Sequence, residues 1–249
     1  MATVYSVLSI KTRRWYNNFL KQISDNQKLK KMKKTLFIAF ASISTIAFKA
    51  NAQITIAPEV GVHSSLLTSS FKPSSVVGFK IGGVVDVPIV AGLHFQPGLF
   101  FLTKGSETNT DILDLGTVVV TNKRSSIKLN TLEVPLNLVY NLNFKNGGAL
   151  FGFAGPYLGC NLNGSEKYTF KVGDKTTAEG TNTKLVGSEA NQLKAFDYGA
   201  NMGLGYKLPM GLYFRAQYSL GLANLSNVKN TDVKSTYLGV SVGYFFGGK

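Results

Sequence analysis

From residue 54 onward, apolar and polar positions alternate with period two in segment after segment, the mark of strands with two chemically different faces. Four segments are almost free of exceptions. In 212–222, Leu212, Phe214, Ala216, Tyr218, Leu220 and Leu222 alternate with Tyr213, Arg215, Gln217, Ser219 and Gly221. In 196–208, apolar even positions from Phe196 to Leu208 face Asp197, Gly199, Asn201, Gly203, Gly205 and Lys207. The same holds for 132–142, where Leu132 to Leu142 oppose Glu133, Asn137 and Asn141, and for 236–246, where Thr236 to Phe246 oppose Ser235, Tyr237, Gly239, Ser241 and Gly243. Less regular runs occupy 54–66, 76–87, 92–104 and 149–162, which brings the expected strands to eight.

Soluble sandwiches and membrane barrels both produce such alternation, and strand length separates them. Runs of about 11 residues or more match the 9 to 11 that cross a bilayer obliquely and exceed the usual 5 to 6 of soluble strands. The polar faces are rich in Gly, Ser and Asn rather than the Lys and Glu of a solvated surface. The connections alternate in length: 88–91, 143–148 and 209–211 are short, whereas 67–75, 105–124, 163–193 and 223–232 are longer. Short turns on one rim and long loops on the other predict an all-β fold, an eight-stranded antiparallel up-and-down transmembrane β-barrel with its long loops outside the cell. Pro58, Pro97, Pro135 and Pro156 fall inside these strands and are expected to mark bulges or strand ends, because proline cannot donate to a ladder. Loop 163–193, rich in Gly, Thr, Lys and Glu, is expected to be mobile. Loop 105–124, with Ile112, Leu113 and Val118 to Val120, is too apolar for that and should prolong its flanking strands as a hairpin turning at 114–117.

Composition divides the chain. Of its 249 residues, the first 52 contain none of the 26 glycines and none of the 7 prolines, but 10 of the 27 Lys and Arg and 1 of the 13 Asp and Glu. The net +14 is therefore mostly N-terminal, and the barrel region is only mildly basic, which argues against nucleic acid as a partner. Lys33 and Lys34, the apolar run 35–48 and Ala50-Asn51-Ala52 have the order of a secretory signal. Three regions follow: an N-terminal extension at 1–31 outside the native product, a signal peptide at 32–52, and an outer-membrane barrel at 53–249. The single cysteine, Cys160, rules out an intramolecular disulfide.

Several short motifs resemble the PorT-like outer-membrane β-barrel proteins. They are Leu132-Glu133-Val134-Pro135-Leu136 running on to Tyr140, Gly155-Pro156-Tyr157 with Gly159, Asp197-Tyr198-Gly199 followed by Gly203-Leu204-Gly205-Tyr206, and Tyr218-Ser219-Leu220-Gly221-Leu222 with Asn224. The terminal Tyr244-Phe245-Phe246 is similar to the aromatic ending by which barrel assembly machinery recognises clients, although Gly247-Gly248-Lys249 follow it. The resemblance implies a location and a fold, and no shared catalytic residue.

Candidate chemistry is sparse. Gly239-Val240-Ser241-Val242-Gly243 matches the G-x-S-x-G nucleophile motif, but no histidine follows Ser241 and no helix can. His63, Ser65 and Glu59 share one face of the first strand, an arrangement a lipid hydrolase could use; hydrogen bonding inside the lumen is the simpler role. His63 and His94 fall near opposite ends of the barrel, too far apart to share a metal. No catalytic, cofactor-binding or metal-binding residue is assigned, and the chain is expected not to be an enzyme. The inward charges Glu59, Lys80, Asp86, Lys104, Glu133, Asp197, Lys207 and Arg215 balance, four acidic and four basic. A barrel of this size has room inside for side chains only. They should therefore pair into a plug; a narrow, porin-like channel for small solutes is the alternative. The expected partners are outer-membrane lipids, the barrel assembly machinery during biogenesis, and a protein outside the cell or in a secretion complex.

Overall fold

A computed structural model describes residues 54–68, 73–114, 119–145, 147–172, 175–190 and 192–246. The expected extension at 1–31 and signal peptide at 32–52 lie outside them. The described chain is a single antiparallel sheet of nine strands: β1 (Thr55–Thr68), β2 (Ser74–Val90), β3 (Leu93–Asp114), β4 (Val119–Asn143), β5 (Ala149–Val172), β6 (Lys175–Asn182), β7 (Phe196–Lys207), β8 (Leu212–Gly221) and β9 (Lys234–Tyr244). Eight of them close a ring, in the order β1-β2-β3-β4-β5-β7-β8-β9 and back to β1, while β6 pairs only with β5. Closure pairs every strand edge at the level of the lipid. Each short turn, between β2 and β3, β4 and β5, and β7 and β8, contains a glycine at positive φ, namely Gly92, Gly147 and Gly211. That conformation costs glycine nothing and a residue with a Cβ a good deal.

The alternation expected from the sequence sets the two faces. Along β1, odd positions from Thr55 to Leu67 point inward, whereas Ile56, Val60 and Val62 are exposed. Leu138, Tyr140 and Leu142 of β4, Leu204 of β7, Phe214 of β8 and Leu238 of β9 are likewise exposed. They form the outward apolar band that a lipid bilayer covers.

Three strands outgrow the expectation. β3, β4 and β5 are 22, 25 and 24 residues long, against 10 to 12 in β7, β8 and β9. Loop 105–124 is the hairpin expected: β3 and β4 stay in register to Asp114 and Val119, and 115–118 lie outside the described residues. Loop 163–193 differs from its expectation. Its first part continues β5 to Val172 against β4, and its second folds back as β6. The reason is geometric. β7 stops pairing with β5 at Cys160, so the upper edge of β5 would be bare, and β6 covers it from Glu166 to Val172.

The prolines also behave differently from expectation. Pro97, Pro135 and Pro156 sit within β3, β4 and β5 without bulge or strand end. Register is the same on both sides, as in Pro97↔Leu136 and Phe100↔Glu133, or Pro135↔Tyr157 and Leu138↔Ala154. Each proline lacks one donor, so the ladder lapses on one side only and the neighbouring pairs hold the register; Pro156 still pairs with Ala200 on its other side. Pro58 likewise keeps its place opposite Gly83. The register shifts that do occur, such as that at Asn130/Thr131, lie elsewhere.

Candidate functional site

All eight charges expected inside the barrel do face the lumen. Glu59 is held by Lys80 at 2.7 Å and Arg215 at 3.5 Å, and it accepts hydrogen bonds from the Tyr213 hydroxyl at 2.6 Å and the Ser241 hydroxyl at 2.7 Å. Lys104 sits between Glu133 at 3.1 Å and Asp197 at 3.0 Å. Asp86 pairs with His94 at 2.7 Å, and Lys207 lies over the Phe245 ring. Lys80 and Glu133 thus each meet an opposite charge, but not each other.

Neutral side chains join these groups into one chain along the lumen. Starting at His94 near the short turns, the links pass to Asp86, to Gln96 (3.0 Å) and to Arg215 (2.6 Å). From there they run through Glu59 and Lys80 to Gln217 (2.8 Å), whose amide donates to the Tyr237 hydroxyl at 2.7 Å. Tyr237 donates to Glu133 at 2.9 Å, and Lys104 and Asp197 complete the series, with Ser235 donating to Asp197 at 2.9 Å. With Tyr157 of β5 3.4 Å from Asp197, every strand of the ring contributes a member. Charges out of water are costly unless paired and hydrogen-bonded. Each charge in this series has an opposite charge or a hydrogen-bond partner, although Arg215 Nε donates no hydrogen bond and one oxygen of Glu133 accepts none.

Aromatic rings fill the remaining space. Phe151, Phe153 and Tyr157 of β5 project inward, and a Cβ on Gly205, Gly203 or Gly199 of the neighbouring β7 would strike the ring of Phe151, Phe153 or Tyr157 respectively. The luminal glycines of β7 are therefore seats for the rings of β5. Lys80 lies 4.6 Å from the Phe100 ring centre, Lys104 4.9 Å from Tyr157 and Arg215 4.7 Å from Phe153, so each cation rests on an aromatic face as well as being paired. At the short-turn mouth, the space between Asp86, Gln96, Asn141, Lys207 and Phe245 amounts to about 10 Å³. That is room for about one water molecule.

An apolar cap closes the other mouth. Leu67, Leu129, Leu185, Ala223 and Leu225 are buried together, with Ile127, Val186, Leu193 and Val233 packed against them. Leu185, Val186 and Leu193 come from the segment between β6 and β7, and Asn227 fastens it: its side-chain amide donates to the carbonyls of Gly187, Gln192 and Glu189 at 2.9 to 3.1 Å.

The other candidates are dispersed. The His63 ring bonds the Thr103 carbonyl at 2.8 Å, and Ser65 is engaged with Gly105 and Val76, so neither meets the other or Glu59. Ser241 lies in the middle of β9 with its hydroxyl on Glu59, not on a strand-to-helix turn. His94 is tied to Asp86, and among the described residues no three His, Cys, Asp or Glu are placed to hold a metal. Sequence reasoning missed Gln96, Gln217 and the inward tyrosines Tyr157, Tyr213 and Tyr237 as links. Their signal was an aromatic or amide at an otherwise polar, inward position.

Beyond the band, β3 to β6 continue as a four-stranded sheet. Its outward row carries Arg124 paired with Glu107 at 2.8 Å, together with Lys128, Lys167 and Lys171. Its other face carries Tyr168 against Phe170, with Lys123 5.7 Å above the Phe170 ring.

Residues 49–227 match the family model for the outer membrane protein beta-barrel domain. No curated protein sequence matches the chain. Among solved structures it is similar to the attachment invasion locus protein Ail of Yersinia pestis, described in complex with the heparin analogue sucrose octasulfate, at 14% identity and a TM-score of 0.35. It is also similar to the N-terminal β-barrel domain of Pseudomonas aeruginosa OprF and to Neisserial surface protein A, each at 12% identity with TM-scores of 0.33 and 0.34. Each comparison covers 79% of this chain and all of the other. With a match over more than half its length, the chain belongs to the outer membrane protein beta-barrel domain family, and it is a bacterial outer-membrane β-barrel protein.

Proposed function

We propose that the protein is a non-conducting, non-enzymatic barrel that holds a four-stranded sheet out of the outer membrane for a protein partner to dock on. The supporting observation is the contrast between a lumen closed along its length and a sheet prolonged far past the lipid. From Gly105 to Asp114, β3 alone adds ten residues, roughly 30 Å of strand. Among the described residues, the sheet has two strand edges without a ladder partner: β3 above its last pairing with β2 at Glu107, and the outer edge of β6. Free edges offer unpaired backbone donors and acceptors, which a partner strand can satisfy. In this reading the long-loop end faces the cell exterior, the partner is a surface or secretion-assembly protein, and the motif order places the chain with the PorT-like barrels. The test is photo-crosslinking in intact cells from Asn109 and Thr177 on the two edge strands. A discrete crosslinked protein at those positions, absent from a probe at Leu150 within the lipid band, supports docking. Capture of nothing but lipid at all three sinks it.

A further inference from the structure

The outward face of the projecting sheet, just above the apolar band, contains a cluster of two lysines and two serines. β4 and β5 are paired so that Lys128 stands opposite Ser165 and Ser126 opposite Lys167. All four belong to the row that also carries Arg124, outside the barrel. Two lysines occupy one diagonal of a cross-strand square and two hydroxyls the other. Diagonal neighbours of this kind have Cβ atoms about 7 to 8 Å apart, so two flexible ammonium groups can converge on one tetrahedral anion while the serines donate from the sides. Among the described residues, none of these four side chains has a hydrogen-bond or ion-pair partner. Two acids border the square: Glu107 stands opposite Ser126 and is neutralised by Arg124 at 2.8 Å, and Glu179 of β6 stands opposite Thr169, one step above Lys167, without an ion pair to either lysine. Beneath the square, Asn130 donates to Asn163 at 2.7 Å, a polar floor separating it from Leu132 and Leu162 of the apolar band.

Height selects the ligand. Lys128 is four residues above Leu132, about 13 Å along the strand and about 10 Å above the band once barrel tilt is included. The headgroup layer of a bilayer begins at the hydrocarbon boundary and is about 5 to 8 Å deep. Lysine stems reach several ångströms and bend toward such a layer while resting on the wall. Lys167, opposite Ser126, stands two residues and roughly 5 Å higher. The phosphate of a lipid packed against β4 and β5 therefore meets the Lys128 ammonium first and is reached from above by the Lys167 stem bending down, and the site opens sideways toward lipid.

We propose that Lys128, Lys167, Ser126 and Ser165 form a binding site for the phosphate of a phosphorylated outer-leaflet glycolipid that packs against β4 and β5. The proposal relies on the long-loop end lying outside the cell, and it is independent of any docking partner.

The test uses full-length protein in phosphatidylcholine nanodiscs doped with lipid A, or with the same lipid enzymatically dephosphorylated, and counts retained glycolipid by native mass spectrometry. Nanodiscs present the lipid to both ends of the barrel, so the result does not depend on orientation in cells or on a partner. The wild type should retain the phosphorylated lipid at least tenfold better than the dephosphorylated one, and the preference should shrink as salt rises. The double variant Lys128→Gln/Lys167→Gln should lose that preference, Ser126→Ala/Ser165→Ala should reduce it a few-fold, and Lys234→Gln on β9 should keep it. All four substitutions at the site lie on an exposed face, and heat-modifiable gel mobility verifies that each barrel is folded. Equal retention of the two lipids by the wild type, or an undiminished preference in the lysine double variant, overturns the proposal. So does competition by glucosamine phosphate without acyl chains at the same concentration as the lipid, since that assigns the site to a soluble anion.

Discussion

The lumen and the projecting sheet are made from the same strands, yet they are held together by opposite means. Inside the ring, Lys104, Glu133, Asp197, Glu59, Lys80 and Arg215 are all but inaccessible, and each is fixed by several partners from different strands. Above it, the ion pair Arg124–Glu107 is largely exposed, and the sheet is maintained by backbone ladders with little side-chain burial. Water makes the difference: the same charge pair is structural where solvent is excluded and nearly neutral where it is not. Stability in a barrel built this way therefore depends far more on single side chains of its interior than on those of its projection.

Mutation can break that contrast. The largest effect is expected from Lys104→Met, which leaves Glu133 and Asp197 buried without their shared cation and should cost on the order of 3 to 5 kcal/mol. Glu59→Gln, which strands Lys80 and Arg215, should cost a similar amount. Urea unfolding in liposomes followed by circular dichroism reads both, and unchanged midpoints would show that the ion pairs do not hold the ring.

Glycines sharpen the comparison between the two faces of the wall. A Cβ at Gly203 meets the Ala216 carbonyl and the Phe153 ring at 2.5 Å, whereas one at Gly152, on the lipid face, finds nothing nearer than 3.9 Å. Gly203→Val should therefore cost about 1 to 3 kcal/mol through overpacking, and Gly152→Val should stay within about 0.5 kcal/mol of the wild type in the same unfolding measurement. Equal losses would mean that the luminal rings do not need their seats.

The cap should respond locally. Leu225→Ala opens a cavity in the buried cluster and should lower the free energy of opening the cap alone by about 2 to 4 kcal/mol, and Asn227→Ala removes the three bonds that fasten the segment between β6 and β7. Both should free the backbone at Lys184, whose side chain is already exposed, for cleavage by trypsin on intact cells without moving the global unfolding midpoint much. In the wild type, cutting should begin at the exposed Lys229, beside Asn230 at φ 60°, and spare Lys145 and Lys207. Cutting first at Lys145 or Lys207 would invert the orientation. The smallest effect belongs to Glu107→Gln, whose exposed partner Arg124 should leave the midpoint unchanged within error.

How much of this the chain declares in advance also follows the divide. The ring was legible wherever one face meets lipid and the other a polar lumen: the clean runs at 196–208 and 212–222 match Phe196–Lys207 and Leu212–Gly221 closely. The inward charges followed from the same alternation. What it could not supply was the identity of their partners, because Glu59 meets Lys80, Arg215, Tyr213 and Ser241 through closure of the ring rather than through spacing along the chain. Above the lipid both faces of a strand are polar, so the period-two contrast fades and β3, β4 and β5 outran their expected ends. β6 left no pattern at all. Its sequence, Lys-Thr-Thr-Ala-Glu-Gly-Thr-Asn, forms a strand because β5 presents an uncovered edge beside it. β5 was hard to read for another reason: with Gly152, Ala154 and Pro156 outside and Phe151, Phe153 and Tyr157 inside, its two faces are nearly inverted in size.

The central claim is that the lumen is closed by an unbroken series of paired side chains from His94 to Ser235. Single-channel recording of the purified protein in a planar lipid bilayer tests it most directly. The arrangement predicts no steady ionic conductance for the wild type, with openings appearing only when the plug is broken, as in Lys104→Met or Glu59→Gln. A stable, ohmic wild-type conductance, blocked or altered by those same substitutions, would show instead that the charges line a path for ions.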